Sequence, residues 1–343
     1  MGKADTCTKD YMGRSVIFAD MFNFFLYDGE QVIKPSDLTP VDSAELSLPY
    51  GDSGSDKPLQ KQRDILKEAN IMRDGRATYL LLGVENQTAV HYAMAVRNML
   101  YDAIRYSKQV RTLAAQHKKE KIGSGSEYLS GFRKEDKLTP VITLVVLFSP
   151  KPWDGAMSLR DMMSVQDPKL LEFIPDYKLN LVQPAALDDA ALMKFQTSLR
   201  EVLGYIRCSE DKDQLVALVN HNPRFEAIEP AAAMVINSCT KTNIKWKPED
   251  EVIDVCKAIR DLINDSKSEG RLEGKQEGRL EGRLEGKQEG KQEGKLEGKR
   301  SQARETAVKL MRLNMPLTQI ADLVGFDTET VSAWLSEGAA AQV

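Results

Sequence analysis

The strongest constraint on the fold is a pair of apolar segments separated by a long amphipathic one. Residues 77–87 (ATYLLLGVENQ) and 138–149 (LTPVITLVVLFS) are short and rich in Leu, Val and Ile, which is typical of strands buried on both faces. Between them, from Ala89 to about Lys121, apolar residues recur near helical spacing. This order of strand, helix and strand predicts an α/β core in which helices flank a mixed sheet.

Segments on either side extend this core. Residues 63–72 predict a strand that precedes the two apolar ones, and residues 177–184 predict a final strand. Near the amino terminus, residues 12–28 have the apolar periodicity of an amphipathic helix. We therefore expect the α/β core to occupy residues 1–188.

The remainder of the chain is predicted to be helical and to fall into three parts. Periodicity indicates helices over 188–203, 212–220, 228–237 and 249–267, which form a helical extension at residues 189–266. Residues 267–300 then repeat every four residues with a glycine in each repeat, and residues 301–343 return to helical periodicity.

The four-residue repeat is compatible with a long helix or with a flexible linker. Eight glycines weaken a helix by roughly 1 kcal/mol each, and like charges recur at i,i+4. If the segment is helical, its glycine stripe turns by about 40° per repeat and suits close wrapping around a partner chain. We expect a long, low-complexity helical tail, with residues 267–343 as the candidate region for homo-oligomer formation.

The last segment has the spacing of a helix-turn-helix. Ala321, Gly325 and Val331 occupy the positions of the small residue, the turn glycine and the apolar anchor. The predicted second helix, residues 328–335, contains no Arg or Lys, whereas base recognition normally requires such donors. Docking or oligomerisation is therefore favoured over DNA recognition for this element.

Composition excludes several classes of function. The net charge is −4, with 47 basic and 51 acidic residues, so contact with nucleic acid must come from local patches. The four cysteines show no metal-ligand spacing, and neither a signal peptide nor an apolar span of membrane length is present. No P-loop or G-x-S-x-G motif occurs. These features predict a cytoplasmic protein that uses no membrane and no nucleotide cofactor.

Three polar residues near the ends of predicted strands form the candidate catalytic centre. Glu85 and Gln87 lie two residues apart, so they point to the same face of their strand. Asp64 converges with them if its strand pairs alongside. Two carboxylates can hold one Mg²⁺ beside a phosphodiester, whereas the alternative interpretation is a solvated strand end.

The run from Arg63 to Tyr106, together with LTPVITLVVLFSPKPWDGAMSLRDMM, resembles the recombination-promoting nuclease (Rpn) family, also described as YhgA-like transposases of PD-(D/E)XK type. The resemblance covers roughly residues 12–265. It implies a restriction-endonuclease-like fold and metal-dependent DNA cleavage, with Asp64, Glu85 and Gln87 as catalytic residues and the two acids as metal ligands.

The resemblance also implies one further acidic residue from the first helix, for which Asp20 is the better candidate and Glu30 the weaker. Asp20 is equally compatible with a solvated helical position. The family pattern usually ends in Lys, which polarises the water. Gln87 can hydrogen-bond that water but carries no charge, and this departure puts full activity in doubt.

A possible DNA-binding stripe lies on the helix after the catalytic strand. Its members, at i, i+4, i+8 and i+11, are Arg97, Tyr101, Arg105 and Lys108. Such a stripe can follow a phosphate backbone, although an ordinary solvated helical face gives the same pattern. The leading hypothesis is a metal-dependent DNA endonuclease, and the alternative is a catalytically weak or inactive DNA-binding or assembly protein that retains the nuclease fold.

Overall fold

In the computed structural model of the protein, the described residues are 2–42, 44–47, 59–62, 64–73, 76–121, 125–240 and 242–340. The chain divides into two compact units, Met1–Asp261 and Leu262–Val343. The α/β core and the helices that follow it, up to residue 261, belong to the first unit. The helical extension therefore folds in the same unit as the core.

The strands are, in chain order, β1 (Leu38–Pro40), β2 (Ala44–Ser47), β3 (Leu59–Gln62), β4 (Ile65–Arg73), β5 (Arg76–Gln87), β6 (Val141–Leu147) and β7 (Asn180–Val182). The helices are α1 (Lys3–Gly13), α2 (Ser15–Tyr27), α3 (Met94–Glu120), α4 (Ser126–Ser130), α5 (Pro168–Leu171), α6 (Asp189–Met193), α7 (Leu199–Cys208), α8 (Lys212–His221), α9 (Pro230–Cys239), α10 (Val255–Arg312), α11 (Leu317–Val324) and α12 (Thr328–Ala340).

A five-stranded mixed sheet forms the centre of the first unit, in the order β1-β4-β5-β6-β7. Strand β4 pairs antiparallel with β5, whereas β5 and β6 are parallel, and the long connection through α3 supplies the crossover that a parallel pair requires. The apolar run of β5 explains its central place, because Leu82 and Val84 are completely buried. The predicted α/β class and mixed sheet are confirmed. Strands β2 and β3 form a separate two-stranded sheet.

Helix α3 is attached to the sheet by a buried carboxylate and by apolar packing. Asp102 accepts hydrogen bonds from Thr143 Oγ1, at 2.8 Å, and from the Tyr177 hydroxyl. At its start, Met94 packs with Val145 of β6 in a core cluster that includes Trp153. These contacts place the first turns of α3 beside the carboxyl end of β5.

Helix α3 begins at Met94, five residues later than the predicted start at Ala89. The strand pairing extends to Gln87, which lies opposite Leu147 in β6, and the Gln87 carbonyl accepts from Phe148 N. This keeps the chain extended, so residues 88–93 form the turn that lines the candidate site.

The predicted helix over residues 12–28 corresponds to α2, Ser15–Tyr27, and a further helix, α1, precedes it over Lys3–Gly13. Arg14 has an extended backbone that separates α1 from α2, and Asp28 ends α2 in the left-handed region at φ 54°. Helix α1 packs against α9, and its residues Tyr11 and Met12 are buried. Its other residues are mostly polar, which explains why apolar periodicity did not predict it.

Two other predicted helices differ from the structure in their bounds. The predicted helix over 188–203 is divided between α6 and α7, and the one over 249–267 begins at Val255 as α10. After β6, Ser158 forms an isolated bridge with Lys178, and a 3₁₀ turn follows at Arg160–Met162. Arg63, in the strand predicted over 63–72, lies outside the described residues.

In the second unit, α10 runs through the four-residue repeat, and no atom would obstruct a Cβ added at the repeat glycines. A small core joins the end of α10 to α11 and α12. Its buried members are Ala303, Ala307, Ile320, Ala321, Val331 and Trp334. Gly325 ends α11 at φ 70°, a conformation that favours glycine because it lacks a Cβ.

All four cysteines are free thiols. None of the helices in the described part of the chain has both the length and the apolarity that a membrane span needs.

Candidate active site

Asp64 and the end of β5 lie side by side. Ile65 pairs with Val84, so Asp64, which precedes Ile65, lies next to Glu85 and Asn86, which follow Val84. The Asp64 Oδ2 atom accepts a hydrogen bond from the Asn86 backbone N–H at 2.9 Å. The structure therefore brings Asp64 to the carboxyl end of the strand that carries Glu85 and Gln87.

Glu85 is fully buried and is paired with a basic residue of α3. Its Oε2 atom lies 3.1 Å from Arg97 Nη2, and the Arg97 side chain is 32% exposed. The Arg97 Nε–H group donates to the Tyr101 hydroxyl at 3.0 Å. The first turns of α3 thus supply the guanidinium that neutralises the carboxylate at the end of β5.

A cleft of about 500 Å³ opens beside these residues. Asp64, Gln87 and Arg97 line it, together with the 88–91 turn. Helix α1 contributes Asp5 and Lys9 from the other side. The cleft thus combines two acidic and two basic side chains with the amide residues Asn86 and Gln87.

The acidic and basic groups around the cleft shift one another's pKa. Burial raises the pKa of Asp64, and the repulsion from Asp5 adds to this, whereas the Asn86 hydrogen bond, Lys9 and Arg97 oppose it. Burial alone lowers the pKa of Arg97, but Glu85 and Tyr101 outweigh that effect and raise it. Burial and then Glu85 raise the pKa of Tyr101. Arg97 therefore remains charged, and Asp64 takes up a proton more readily than an exposed aspartate does.

The donor chemistry of this site fits a divalent cation, but the arrangement contains no ready cluster of ligands. Carboxylates at Asp64 and Glu85, and the amide oxygen of Gln87, are the hard oxygen donors that Mg²⁺ prefers. Among the described residues, however, no three His, Cys, Asp or Glu side chains are grouped to hold a metal. Arg97 is the cation now beside Glu85.

The structure places the Asp20 carboxylate against the helical extension. Its buried carboxylate accepts from the backbone N–H groups of Gln196 and Thr197 and from Thr197 Oγ1 at 2.6 Å. These groups lie in the break between α6 and α7. Asp20 thus stabilises the helical extension and is not among the residues that line the cleft, so its catalytic role stays a prediction. Glu30, the weaker candidate, is exposed beyond the end of α2.

Residues from α1 stand where an acid from the first helix was expected. Asp5 accepts from Thr88 Oγ1 at 3.3 Å, next to the end of β5. Sequence reasoning missed Asp5 and Lys9 because it began the first helix at residue 12. An available signal was the acidic residue three positions after Gly2, since such a residue is typical of a first helical turn.

The predicted DNA-binding stripe is not one exposed surface. Tyr101 and Arg105 are 3% and 9% exposed, respectively, because this side of α3 faces inward. Arg97 lines the cleft, whereas Arg105 and exposed Lys108 line a separate cavity. The structure therefore divides the stripe between two places.

Together, the mixed sheet, the flanking helices and the polar cleft at the end of β5 define an α/β protein compatible with a nuclease-like core. The chain belongs to the family described as "Putative transposase, YhgA-like", whose model matches residues 39–227. This confirms the resemblance to the Rpn/YhgA family, and the membership indicates an enzyme of nuclease or transposase type. No curated protein and no solved structure matches the chain.

Proposed function

We propose that the protein is a metal-dependent DNA endonuclease that hydrolyses phosphodiester bonds, with its catalytic centre at Asp64, Glu85 and Gln87. The observation that carries the proposal is the hydrogen bond from Asn86 N to Asp64, which joins the two strand ends beside a cleft. Membership of a nuclease or transposase family supports this reading.

In this proposal, Asp64 and Glu85 hold a divalent cation such as Mg²⁺, with Arg97 released from Glu85. A bound cation supplies the charge that stabilises a phosphorane-like transition state and lowers the pKa of a water molecule. Gln87 orients a water through its amide, since it cannot add charge. Lys9 supplies at the cleft the ammonium group that the family pattern usually has at position 87.

DNA is the proposed substrate and partner. Lys9 and Arg97 provide cationic donors for a phosphate at the cleft, and Arg97 is the member of the predicted stripe that lines this cleft. Because the net charge of the chain is negative, binding depends on these local groups and weakens steeply as salt increases.

The test is nicking of supercoiled plasmid with Mg²⁺, Mn²⁺, Ca²⁺ or EDTA. Asp64→Asn keeps an acceptor for Asn86 N, and Glu85→Gln keeps the side-chain shape, so both test charge with little change of packing. Exposed Asp261→Asn and Glu210→Gln are the matched controls. Cleavage that requires a cation and disappears only in the two site variants supports the proposal. Equal cleavage by site and control variants refutes this assignment.

The second candidate is a DNA-binding protein that retains the fold without efficient catalysis. Two observations favour it: Arg97 already neutralises Glu85, and residue 87 is Gln. Folded protein that binds duplex DNA but fails to nick it with every cation tested supports this candidate and rejects the first.

We also propose that residues 267–343 form a homo-oligomer. The apolar residues Leu272, Leu280 and Leu284 of α10 are each more than 60% exposed, so a second copy is a suitable partner for them. Deletion of 267–343 is then expected to give a monomer by light scattering, and an unchanged oligomer rejects the proposal.

A further inference from the structure

A second cavity lies on the sheet side of α3, away from the carboxyl end of β5. It has a volume of about 310 Å³. Three basic side chains line it, Arg105 and Lys108 from α3 and Lys137 from the segment before β6, together with one acidic side chain, Glu68. The cavity therefore has an excess of positive charge.

The unusual group in this cavity is the Arg105 guanidinium. Arg105 is only 9% exposed, and its Nη1 atom is fully buried without a hydrogen-bond partner among the described residues. None of the ion pairs in the described part of the chain includes it either. Burying a charged guanidinium N–H group without an acceptor is unfavourable, so a buried arginine normally has an anion beside it.

The walls of the cavity supply additional hydrogen-bonding groups. Thr112 and Thr139 line it, and Thr139 is held in place by Gln109, whose Oε1 accepts from Thr139 N at 2.8 Å and whose Nε2 donates to Thr139 O. This reciprocal pair connects α3 with the segment that carries Lys137. The cavity thus has a rigid polar wall as well as a buried cation.

We propose that this cavity binds a phosphate group, with Arg105 as the buried anchor and with Lys108 and Lys137 at the rim. A guanidinium presents several N–H donors in a fixed fork that matches phosphate oxygens. Three basic groups against one carboxylate suit a doubly charged phosphate better than a single carboxylate ligand.

The depth of the anchor indicates which kind of phosphate enters. Because Arg105 is more than nine-tenths buried, its partner must project into the cavity, as a terminal phosphomonoester or free phosphate does. An internal phosphodiester is attached on two sides and remains at the surface. A nucleotide or the 5′-phosphate of a DNA end supplies the required group, as does inorganic phosphate.

This site is separate from the catalytic cleft and does not depend on hydrolysis there. Leu81 lines the cavity, and Glu85 lies four residues further along β5, which is about 13 Å of strand. A binding assay in EDTA therefore tests the phosphate site even if the protein cleaves no DNA.

The test is to titrate the full chain with inorganic phosphate in EDTA. Phosphate binding is measured by calorimetry and by the shift of the thermal midpoint of unfolding. The variants are Arg105→Met and exposed Lys137→Gln, and the matched control is Lys119→Met, an exposed charge elsewhere on α3. We expect Arg105→Met to weaken phosphate binding by at least about tenfold. Lys137→Gln should weaken it less, and the control should not weaken it.

A second readout separates a ligand site from a structural arginine. Without phosphate, Arg105→Met should have a thermal midpoint equal to or above that of the wild type, because an apolar side chain replaces an unpaired buried charge. A lower midpoint in phosphate-free buffer indicates a partner within the protein and overturns the proposal. Failure of Arg105→Met to fold also indicates a partner within the protein and overturns the proposal. Unchanged phosphate binding by Lys137→Gln likewise contradicts the proposed site.

The source of the phosphate is identified by competition. A 5′-phosphorylated oligonucleotide that displaces inorganic phosphate, while its unphosphorylated counterpart does not, assigns the site to DNA ends. Displacement by a nucleoside monophosphate but by neither oligonucleotide assigns it to a small molecule. Absence of phosphate binding by the wild type refutes the proposal.

Discussion

Arg97→Met tests whether the Glu85–Arg97 pair holds the site together. The carboxylate is 0% exposed and the guanidinium is 32% exposed, at 3.1 Å. Removing one member of a buried pair costs about 3–5 kcal/mol, because the other charge stays buried. Partial exposure of Arg97 places the expected loss near the lower end, about 3 kcal/mol. For a unit of this size, that loss lowers the thermal midpoint by roughly 6–12 °C.

The assay should report on the first unit alone. In a Trp334→Phe background, the remaining tryptophans, Trp153 and Trp246, both lie within Met1–Asp261. Fluorescence-monitored urea unfolding then gives the free energy of unfolding for this unit. The double variant Glu85→Gln with Arg97→Met should recover a large part of the loss, since no buried charge remains.

Two results contradict this reasoning. One is a free energy of unfolding for Arg97→Met within about 0.5 kcal/mol of the background protein, which is the range of ordinary surface substitutions. The other is a double variant whose loss equals the sum of the two single losses, since independent sites behave additively. Lys119→Met, on the exposed face of α3, is the control.

Three further predictions concern single residues. Because burial raises the pKa of Asp64, ionisation of this carboxyl group opposes folding above the ordinary carboxyl pKa. Urea unfolding should therefore show Asp64→Asn to be more stable than the wild type at pH 7, and the gain should shrink as the pH falls towards the ordinary carboxyl pKa. Lys9→Met should reduce plasmid nicking by about 100-fold, whereas Lys3→Met, on the same helix but exposed, should leave it unchanged. Asp20→Ala should destabilise the first unit by roughly 2–4 kcal/mol, because the N–H groups of Gln196 and Thr197 lose their acceptor. The protein that remains folded should still nick plasmid. Loss of nicking without loss of stability would instead place Asp20 in the catalytic centre.

The centre of the fold was predictable because its signals are local. Buried strands such as β5 and β6 have continuous apolar runs, and the crossover helix between them has a clear apolar periodicity. Helix α1 and the break between α6 and α7 were not predictable in this way. Helix α1 is mostly polar and is held by packing on α9, and the break is stabilised by Asp20, which is more than 170 residues distant in sequence.

The candidate site was likewise predictable only in part. The spacing of Glu85 and Gln87 predicts that they share a face, since a strand places residues i and i+2 on one side. The family resemblance adds Asp64 to them. The ion pair between Glu85 and Arg97 was not anticipated. Arg97 was instead placed in an exposed DNA-binding stripe, because helical spacing does not show which side of α3 faces the sheet.

Local patterns in the chain are enough to predict the order of the central strands and helix, the acidic pair at the strand ends and the family of the protein. These properties depend on apolar patterning and on residues close together in the chain. Three features become visible only in the folded chain: Asp5 and Lys9 line the cleft, Asp20 binds the helical extension, and the buried Arg105 Nη1 atom has no hydrogen-bond partner among the described residues. Those outcomes depend on which side chains distant segments bring together, and on the loss of water around each charge when they meet.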